Sequence, residues 1–177
     1  MTAAEIDWLI ARARIEDVLS RFIYSLDRLR WKDLETTLVP DFRYGFKNPD
    51  DTAWVWFTGV DEMVRRLGLV TEHTVVSQHF CPNPLVEVSG NEATALINHL
   101  AYVWWRQEEG TPPELHTVAA RWEAELECLE GAWRIRAMVF DPTFLIPWED
   151  DPSVFPPRGP VLGTAWDSEL RNRSTVI

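Results

Sequence analysis

The sequence ATALINHLAYVWWR, residues 93–106, predicts one long β-strand. Successive side chains of a strand point to opposite faces, so His99 shares a face with Ala93 and Ala95. These small residues leave room for a ligand beside His99. The other face carries Asn98, Tyr102 and Trp104, and only one of the two faces can point inward. We favour the face of His99.

The long strand belongs to a predicted antiparallel meander. Further strand patterns lie on either side of it, at residues 74–80, 85–88, 116–129 and 133–140. Turn residues at 89–91 and 130–131 and a polar loop at 107–113 separate the later strands.

Three helices are predicted before the meander, over residues 3–30, 31–39 and 60–69. In the first helix, apolar residues recur on one face from Ile15 onward, whereas the earlier apolar residues fall on a different face. Either this helix bends, or its first turns pack against something else, such as a second subunit. Pro40 should end the second helix, because it cannot donate a helical N–H. A short strand pair at 42–46 and 53–58 comes before the third helix.

This order of elements predicts an α+β domain, in which three N-terminal helices pack on a strongly bent antiparallel or mixed β-sheet that encloses a pocket. The domain should span residues 1–142. The Pro-rich tail, residues 143–177, shows little periodicity. It could cover the pocket, lie on a neighbouring subunit, or be a partly ordered surface tail.

Composition excludes several classes of function. The chain of 177 residues carries a net charge of −11, whereas nucleic acid or an anionic membrane needs a basic face on its partner. No apolar run is long enough to cross a bilayer, and the N-terminus has acids where an export signal has Lys or Arg. Cys81 and Cys128 show neither metal spacing nor disulfide density. We therefore expect a cytoplasmic protein.

Asp27 and His79 are the residues that point to chemistry. Asp27 lies near the end of the first helix, on the flank of its apolar face, and His79 lies in the predicted strand 74–80. A carboxylate can fix the tautomer of an imidazole, which then accepts a proton near neutral pH. Each residue also has a structural alternative: a helix-end salt bridge to Arg28 or Arg30 for Asp27, and a core histidine for His79.

Neither a metal nor an organic cofactor is expected. The four histidines have no short ligand spacing, and the sequence has no phosphate-binding Gly loop and no nucleophilic Ser motif. The ten tryptophans are the outlier in composition. They fill core and interface, or several of them line a pocket for a flat or hydrophobic ligand.

Three stretches, taken together, make residues 1 to about 142 similar to the SnoaL-like branch of the NTF2-like superfamily. They are Tyr24-Ser25-Leu26-Asp27-Arg28-Leu29-Arg30-Trp31-Lys32-Asp33-Leu34 followed by Val39-Pro40-Asp41-Phe42, then Ser77-Gln78-His79-Phe80, and finally Arg121-Trp122 with Leu129-Glu130-Gly131-Ala132-Trp133-Arg134-Ile135. Within the superfamily these motifs resemble those of scytalone dehydratase, which eliminates water without a cofactor, and of bile acid 7α-dehydratase.

The resemblance extends to the acid and the imidazole but not to every expected catalytic group. Asp27 and His79 match the dehydratase motifs. The Tyr just before the dehydratase Asp corresponds to Leu26, and the Tyr found about one turn earlier in other relatives corresponds to Phe22. A second catalytic His falls near Val103 by simple alignment, with His99 close by on the same strand.

The resemblance implies a cofactor-independent lyase acting on a hydrophobic aromatic or polycyclic small molecule, with dehydration as the preferred reaction. The alternatives are an isomerase, a formaldehyde-releasing C–C lyase, an epoxide hydrolase, or a non-catalytic module that binds a ligand or resembles a dioxygenase β-subunit. The catalytic candidates are Asp27, His79, His99 and Tyr44, although Tyr44 could also be an ordinary buried residue. The substrate-binding candidates are Phe22, Tyr24, Trp31, Phe46, Trp56, Val103, Trp105 and Trp122. A homo-oligomer, either dimer or trimer, is expected.

Overall fold

The computed structural model describes residues 1–47 and 54–147 of the chain. Helices come first and strands dominate the second half. In chain order the elements are α1 (Ala3–Asp27), a 3-10 turn (Trp31–Asp33), α2 (Leu34–Thr37), β1 (Leu38–Lys47), β2 (Trp54–Thr58), α3 (Val60–Thr71), β3 (Thr74–Phe80), β4 (Leu85–Ser89), β5 (Glu92–Trp105), β6 (Glu114–Leu129) and β7 (Ala132–Pro147).

The described strands form one mixed, strongly curved sheet, which confirms the predicted α+β class. Its strand order is β2-β1-β7-β6-β5-β3, and β4 pairs with β5 outside this path. β1 runs parallel to β7, and the other pairs are antiparallel. β6 and β7 shift register twice, and such bulges bend a sheet and increase its twist.

α1 begins with a capping box. The Thr2 hydroxyl accepts a hydrogen bond from the Glu5 backbone N–H, and the Glu5 carboxylate accepts one from the Thr2 backbone N–H. The predicted change of apolar face is visible in the burial. Ile15, Leu19 and Phe22 are buried, whereas the earlier apolar residues of the helix are exposed, namely Ile6, Trp8, Leu9 and Ile10.

α1 ends at Asp27, three residues before the predicted end. Leu29 has a left-handed backbone with φ of 53°. The Arg30 N–H donates to the Ser25 carbonyl and the Leu29 N–H donates to the Leu26 carbonyl, so the helix closes in a Schellman motif. Glycine usually takes this left-handed position, and Leu29 holds it at some cost in strain. The motif fixes Asp27 as the last helical residue.

The second predicted helix, over residues 31–39, is wrong only in its last two residues. The chain makes a 3-10 turn and the single helical turn of α2, and β1 already begins at Leu38. Pro40 therefore lies inside a strand instead of ending a helix. The pairing of β1 with β7 is interrupted between Leu38 and Arg43, and a proline that cannot donate to the ladder is tolerated at such an interruption.

The core forms between α1 and the inner face of the sheet. Along β5, buried and exposed residues alternate with the strand period, and Ala93, Ala95, Ile97, His99 and Ala101 are buried. The face of His99 therefore points inward, as we favoured from the sequence. α1 packs across β3, β4 and β7, and its buried residues meet this inner face.

α3 connects the two ends of the curved sheet, because it follows β2 and precedes β3. Its buried face carries Met63, which is 1% exposed, and the next residue on that face is the charged Arg66, which is 7% exposed. Leu67 packs beside them against the core. A charged residue thus occupies the middle of an otherwise apolar helix face.

Phe22→Ala should lower the free energy of unfolding by about 3 kcal/mol, because it leaves a cavity in a closed part of the core. Phe22 is fully buried, and its ring meets the edge of Trp122 at a centroid distance of 5.8 Å. Denaturant unfolding measures the change. Tyr24→Ala on the same helix is the control, since Tyr24 is 52% exposed and should cost less than about 1 kcal/mol. Equal losses in both variants would contradict this packing.

The last strand is longer than predicted, because β7 continues to Pro147 instead of ending at residue 140. Residues 148–177, which include most of the predicted tail, and residues 48–53, which include the first residue of the predicted strand 53–58, lie outside the described residues. The domain boundary at residue 142 therefore stays a prediction. In the part of the chain that the structure describes, no helix is both long and apolar enough to cross a membrane.

Candidate functional site

The end of α1 and the middle of β3 bring the candidate acid and imidazole together. Asp27 occupies the final helical position of α1, which packs against β3. On β3, Ser77 and His79 are partly buried, whereas Gln78 and Phe80 are exposed. The strand period therefore aims Ser77 and His79 at the same side as Asp27.

Asp27 and His79 are in direct contact. Asp27 Oδ1 lies 2.5 Å from His79 Nδ1. The same oxygen accepts a hydrogen bond of 3.1 Å from the Ser77 hydroxyl, and Asp27 Oδ2 accepts one of 3.1 Å from the His79 backbone N–H. Both oxygens of the carboxylate are thus held, and the carboxylate in turn orients the imidazole. Because Nδ1 is engaged, Nε2 is the nitrogen that His79 can present to a substrate.

The surroundings of Asp27 keep it ionised. Burial raises the pKa of the Asp27 carboxyl, but the hydrogen bonds from the His79 ring and backbone, the charge of His79 and the Ser77 hydroxyl together outweigh burial and hold the pKa below its ordinary value. The side chains of Asp27 and His79 keep 17% and 16% of their surface exposed. The pair is therefore sheltered but can be reached by a small molecule.

His99 lies next to the pair. Its ring centroid is 5.0 Å from that of His79, and it stacks on Trp122 with a centroid distance of 4.4 Å and an interplanar angle of 17°. Phe140 meets the His99 ring edge-on at 5.9 Å. Burial, together with the charge of His79, lowers the pKa of His99 to about 3, although the charge of Asp27 opposes this shift. His99 is therefore neutral at pH 7.

Three buried ring nitrogens in this cluster have no hydrogen-bond partner among the described residues. They are both nitrogens of His99 and Nε1 of Trp122. A neutral imidazole offers one donor and one acceptor, and an indole offers one donor. Buried polar groups normally find partners, so three unpaired ring nitrogens on the inner face are groups that a bound molecule can satisfy. Together these atoms could bind a hydroxyl, carbonyl or other electronegative group beside His79.

Tyr44 lies in a different aromatic cluster. Its ring is 5.0 Å from Phe57 and 6.3 Å from Phe42, and Phe46 lies 6.3 Å from Phe57. Burial raises the pKa of the Tyr44 phenol well above its ordinary value, so Tyr44 stays protonated. Among the described residues, the ring of Tyr44 contacts Phe42 and Phe57 and not the two histidines. The structure thus places Tyr44 and Phe46 towards the β2 end of the sheet.

The other predicted substrate-binding residues divide into three groups. Phe22 and Trp122 join the cluster around His99. Val103 and Trp105 continue the inner face of β5 beyond Ala101, and Trp31 packs against the core. Tyr24 and Trp56 are not brought to the site. Tyr24 is 52% exposed beside Arg28, and Trp56 lies on the opposite face of the sheet, where it is 39% exposed and stacks under Arg43.

Sequence reasoning did not assign roles to Ser77, Phe140 and Arg66. Ser77 could have been found, because it lies two residues before His79 and a strand puts such residues on one face. Phe140 was recognised only as the end of a strand, and its approach to His99 depends on how β7 pairs with β6. Arg66 falls within the predicted helix 60–69, and its burial depends on how that helix packs on the sheet.

Nothing in the described residues forms a metal site, since no three His, Cys, Asp or Glu side chains are grouped to hold an ion. Cys81 follows His79 by two residues and is partly buried. Burial raises the pKa of its thiol to about 12, and the charge of Asp27 adds to the rise. The thiol is therefore protonated at pH 7 and is a poor nucleophile.

The fold and the pair define an α+β cone with a carboxylate-oriented imidazole on its inner surface. Residues 8–139 match the family model of the SnoaL-like domain, and the chain belongs to this SnoaL-like family. The family predicted from the three sequence stretches is thereby confirmed. No curated protein matches the sequence.

Solved structures show the same fold. The LinA-type3 hexachlorocyclohexane dehydrochlorinase of Novosphingobium barchaimii is 19% identical, with a TM-score of 0.69 over 86% of this chain and 99% of the other. A scytalone dehydratase-like protein of Novosphingobium aromaticivorans is 17% identical, with a TM-score of 0.64 over 88% and 95%. An NTF2-like superfamily protein of Salmonella enterica is 14% identical, with a TM-score of 0.60 over 75% and 92%. These TM-scores establish a shared fold, and the proteins that share it include a dehydrochlorinase.

Proposed function

We propose that this protein is a cofactor-independent lyase that removes a proton and a leaving group from adjacent carbons of a hydrophobic aromatic, polycyclic or alicyclic compound. The observation that carries the proposal is the Asp27–His79 pair, in which the carboxylate holds Nδ1 of the imidazole and leaves Nε2 free. The unpaired donors of His99 and Trp122 beside this imidazole support it. The lyases among the relatives by fold point in the same direction.

His79 acts as the base in this reaction. Its Nε2 takes the proton from the carbon, the electrons of that C–H bond form the new double bond, and the leaving group departs with the electrons of its own bond. The ring becomes an imidazolium, which the Asp27 carboxylate stabilises through Nδ1. A positioned base of this kind contributes roughly 10²- to 10⁴-fold to the rate.

His99 and Trp122 act on the side of the leaving group. The Trp122 N–H and the neutral His99 N–H donate hydrogen bonds to the electronegative atom as negative charge develops on it. A hydroxyl leaving group takes up the proton that the His79 imidazolium gives back and leaves as water. A chlorine leaves as chloride, and the His79 imidazolium then loses its proton to solvent. Dehydration is the preferred reaction, and dehydrochlorination is the variant that the LinA relative adds. Tyr44 keeps its phenol proton but lies towards the β2 end of the sheet. It could contact only the end of the substrate that is remote from the reacting carbons.

The experiment is a turnover screen of the purified protein against hydroxylated aromatic and steroid-like compounds and hexachlorocyclohexane. Mass spectrometry follows loss of water or of hydrogen chloride, and chromatography follows isomerisation. His79→Ala should abolish any product found with the wild type. His73→Ala is the matched control, because His73 is exposed and should leave turnover unchanged. Product formed equally by wild type and His79→Ala would overturn the proposal and favour a ligand-binding module.

Two further properties stay predictions alongside this function. The protein should act in the cytoplasm, and it should form a dimer or trimer. The exposed apolar residues at the start of α1, including Ile6 and Leu9, support the second prediction, because self-association would bury them. Light scattering of the purified protein tests the oligomeric state.

A further inference from the structure

Arg66 is the one buried cationic side chain among the described residues, and no part of the proposed reaction uses it. It is 7% exposed and lies on the buried face of α3, one turn after Met63. An arginine is almost never buried unless it is paired. The groups that pair with the buried guanidinium of Arg66 therefore have to be identified.

The charges around Arg66 do not cancel. Glu62 accepts two hydrogen bonds of 2.7 Å from Arg65 and one of 2.6 Å from Arg66 Nε. The hydrogen bond from Arg65 is the largest cause that lowers the pKa of Glu62 to about 2, so Glu62 is ionised. One carboxylate thus faces two guanidinium groups, which leaves one excess positive charge. Arg66 Nη1 is buried and has no hydrogen-bond partner in the described part of the chain.

The unpaired end of Arg66 lies among aromatic rings of the inner face. Its guanidinium is 4.9 Å above the ring of Phe57, which packs on Tyr44 at 5.0 Å. Phe46 follows Tyr44 by two residues on β1 and pairs with Phe140 of β7. The ring of Phe140 contacts His99. Aromatic residues on paired strands therefore lie between Arg66 at the β2 end of the sheet and His99 and His79 towards the β3 end.

We infer that Arg66 binds a carboxylate on the substrate, at the end remote from the bond that His79 breaks. This inference rests on the proposed function and narrows its substrate to hydrophobic ring compounds that carry a carboxylate. A guanidinium is suited to this role, because its planar array of donors matches the two oxygens of a carboxylate and stacks on aromatic faces. With a net charge of −11, the chain repels anions in general, so a carboxylate would need such a specific contact.

Isothermal titration calorimetry with trans-cinnamate and its neutral amide, trans-cinnamamide, tests the inference. The two probes share a ring and a side chain and differ in the charge of the terminal group. Four proteins are compared: the wild type, Arg66→Met, Arg66→Lys and His79→Ala. Arg66→Met removes the charge at similar length, and Glu62 keeps both hydrogen bonds from Arg65 in that variant.

The wild type should bind cinnamate at least about tenfold more tightly than cinnamamide, the size expected for a hydrogen bond to a charged group. Arg66→Met should lose this preference without a fall in melting temperature, and Arg66→Lys should keep part of it. A wild type without the preference, whether it binds both probes equally or neither, would overturn the inference. So would an Arg66→Met variant that retains the preference.

The His79→Ala variant separates this inference from the proposed reaction. It should retain the preference for cinnamate, because the carboxylate contact lies at the other end of the site. If His79→Ala keeps the preference but wild type and His79→Ala turn over a substrate equally, the lyase proposal fails and the carboxylate site stands. If the preference survives in Arg66→Met while His79→Ala is inactive, the carboxylate site fails and the lyase proposal stands.

Discussion

Asp27→Asn should lower the turnover number of the elimination by about 10³- to 10⁴-fold, as the equivalent change does in other carboxylate-oriented imidazole sites. The amide removes the negative charge that stabilises the imidazolium of His79. It also presents an N–H₂ group, which cannot accept the proton of Nδ1 and allows the wrong tautomer. The affinity for substrate should change little, because Asp27 acts through His79 rather than on the substrate.

Steady-state kinetics on a substrate found in the screen measures this loss. Asp17→Asn on the same helix is the control, since Asp17 forms an exposed ion pair with Arg21 and should keep full turnover. Circular dichroism and thermal unfolding show whether Asp27→Asn is folded. A folded Asp27→Asn variant with turnover within tenfold of the wild type would contradict the assignment of Asp27.

Acid should destabilise the protein through His99. The pKa of His99 is lowered from 6.5 to about 3 in the folded state, chiefly by burial. Between these values the unfolded chain binds a proton that the folded protein excludes, so stability falls as the pH falls from about 6.5 towards 3. At 1.36 kcal/mol per pKa unit, the loss between pH 7 and pH 4 is roughly 3 kcal/mol. The charged groups facing His99 are His79 and Asp27, whose effects oppose each other.

His99→Phe isolates this effect from the titration of the surface acids. Phenylalanine fits among Trp122 and Phe140 and cannot be protonated. Urea unfolding of both proteins across pH 4 to 7 should show that the wild type loses roughly 3 kcal/mol more than the variant over this interval. Asp27 contributes in the same direction only at lower pH, because its pKa lies below the ordinary carboxyl value. Parallel stability profiles for the two proteins would rule out a buried neutral His99.

The two histidines of this site have different surroundings, which suit them to different tasks. His79 has a carboxylate on Nδ1 and an accessible ring, which suits a group that takes and returns a proton. His99 is 4% exposed and neither of its ring nitrogens has a hydrogen-bond partner among the described residues, which suits a neutral donor and acceptor. The difference comes from what each ring touches, and two histidines twenty residues apart in the sequence do not reveal it.

Local patterns predicted the long helix and the meander, and together with the family resemblance they predicted the Asp27–His79 pair. The spacing of apolar residues places Asp27 on the flank of the buried face of α1, and the strand period places His79 and Ser77 together on β3. Pro40 shows where local rules fail. By propensity it should end a helix, but the pairing of β1 with β7 put it in a strand at a break in the ladder.

The sequence by itself determined the order of elements, the inward face of β5 and the residue types available for proton transfer, because periodicity and turn chemistry act over a few residues. Only the tertiary structure decided which side chains share the site. The strand order brought Phe140 to His99, placed Tyr44 and Phe46 in the cluster of Phe57, turned Trp56 to the outer face and buried Arg66. These contacts join distant segments through a curved sheet, and the pairing of strands that creates them follows from the packing of the whole domain.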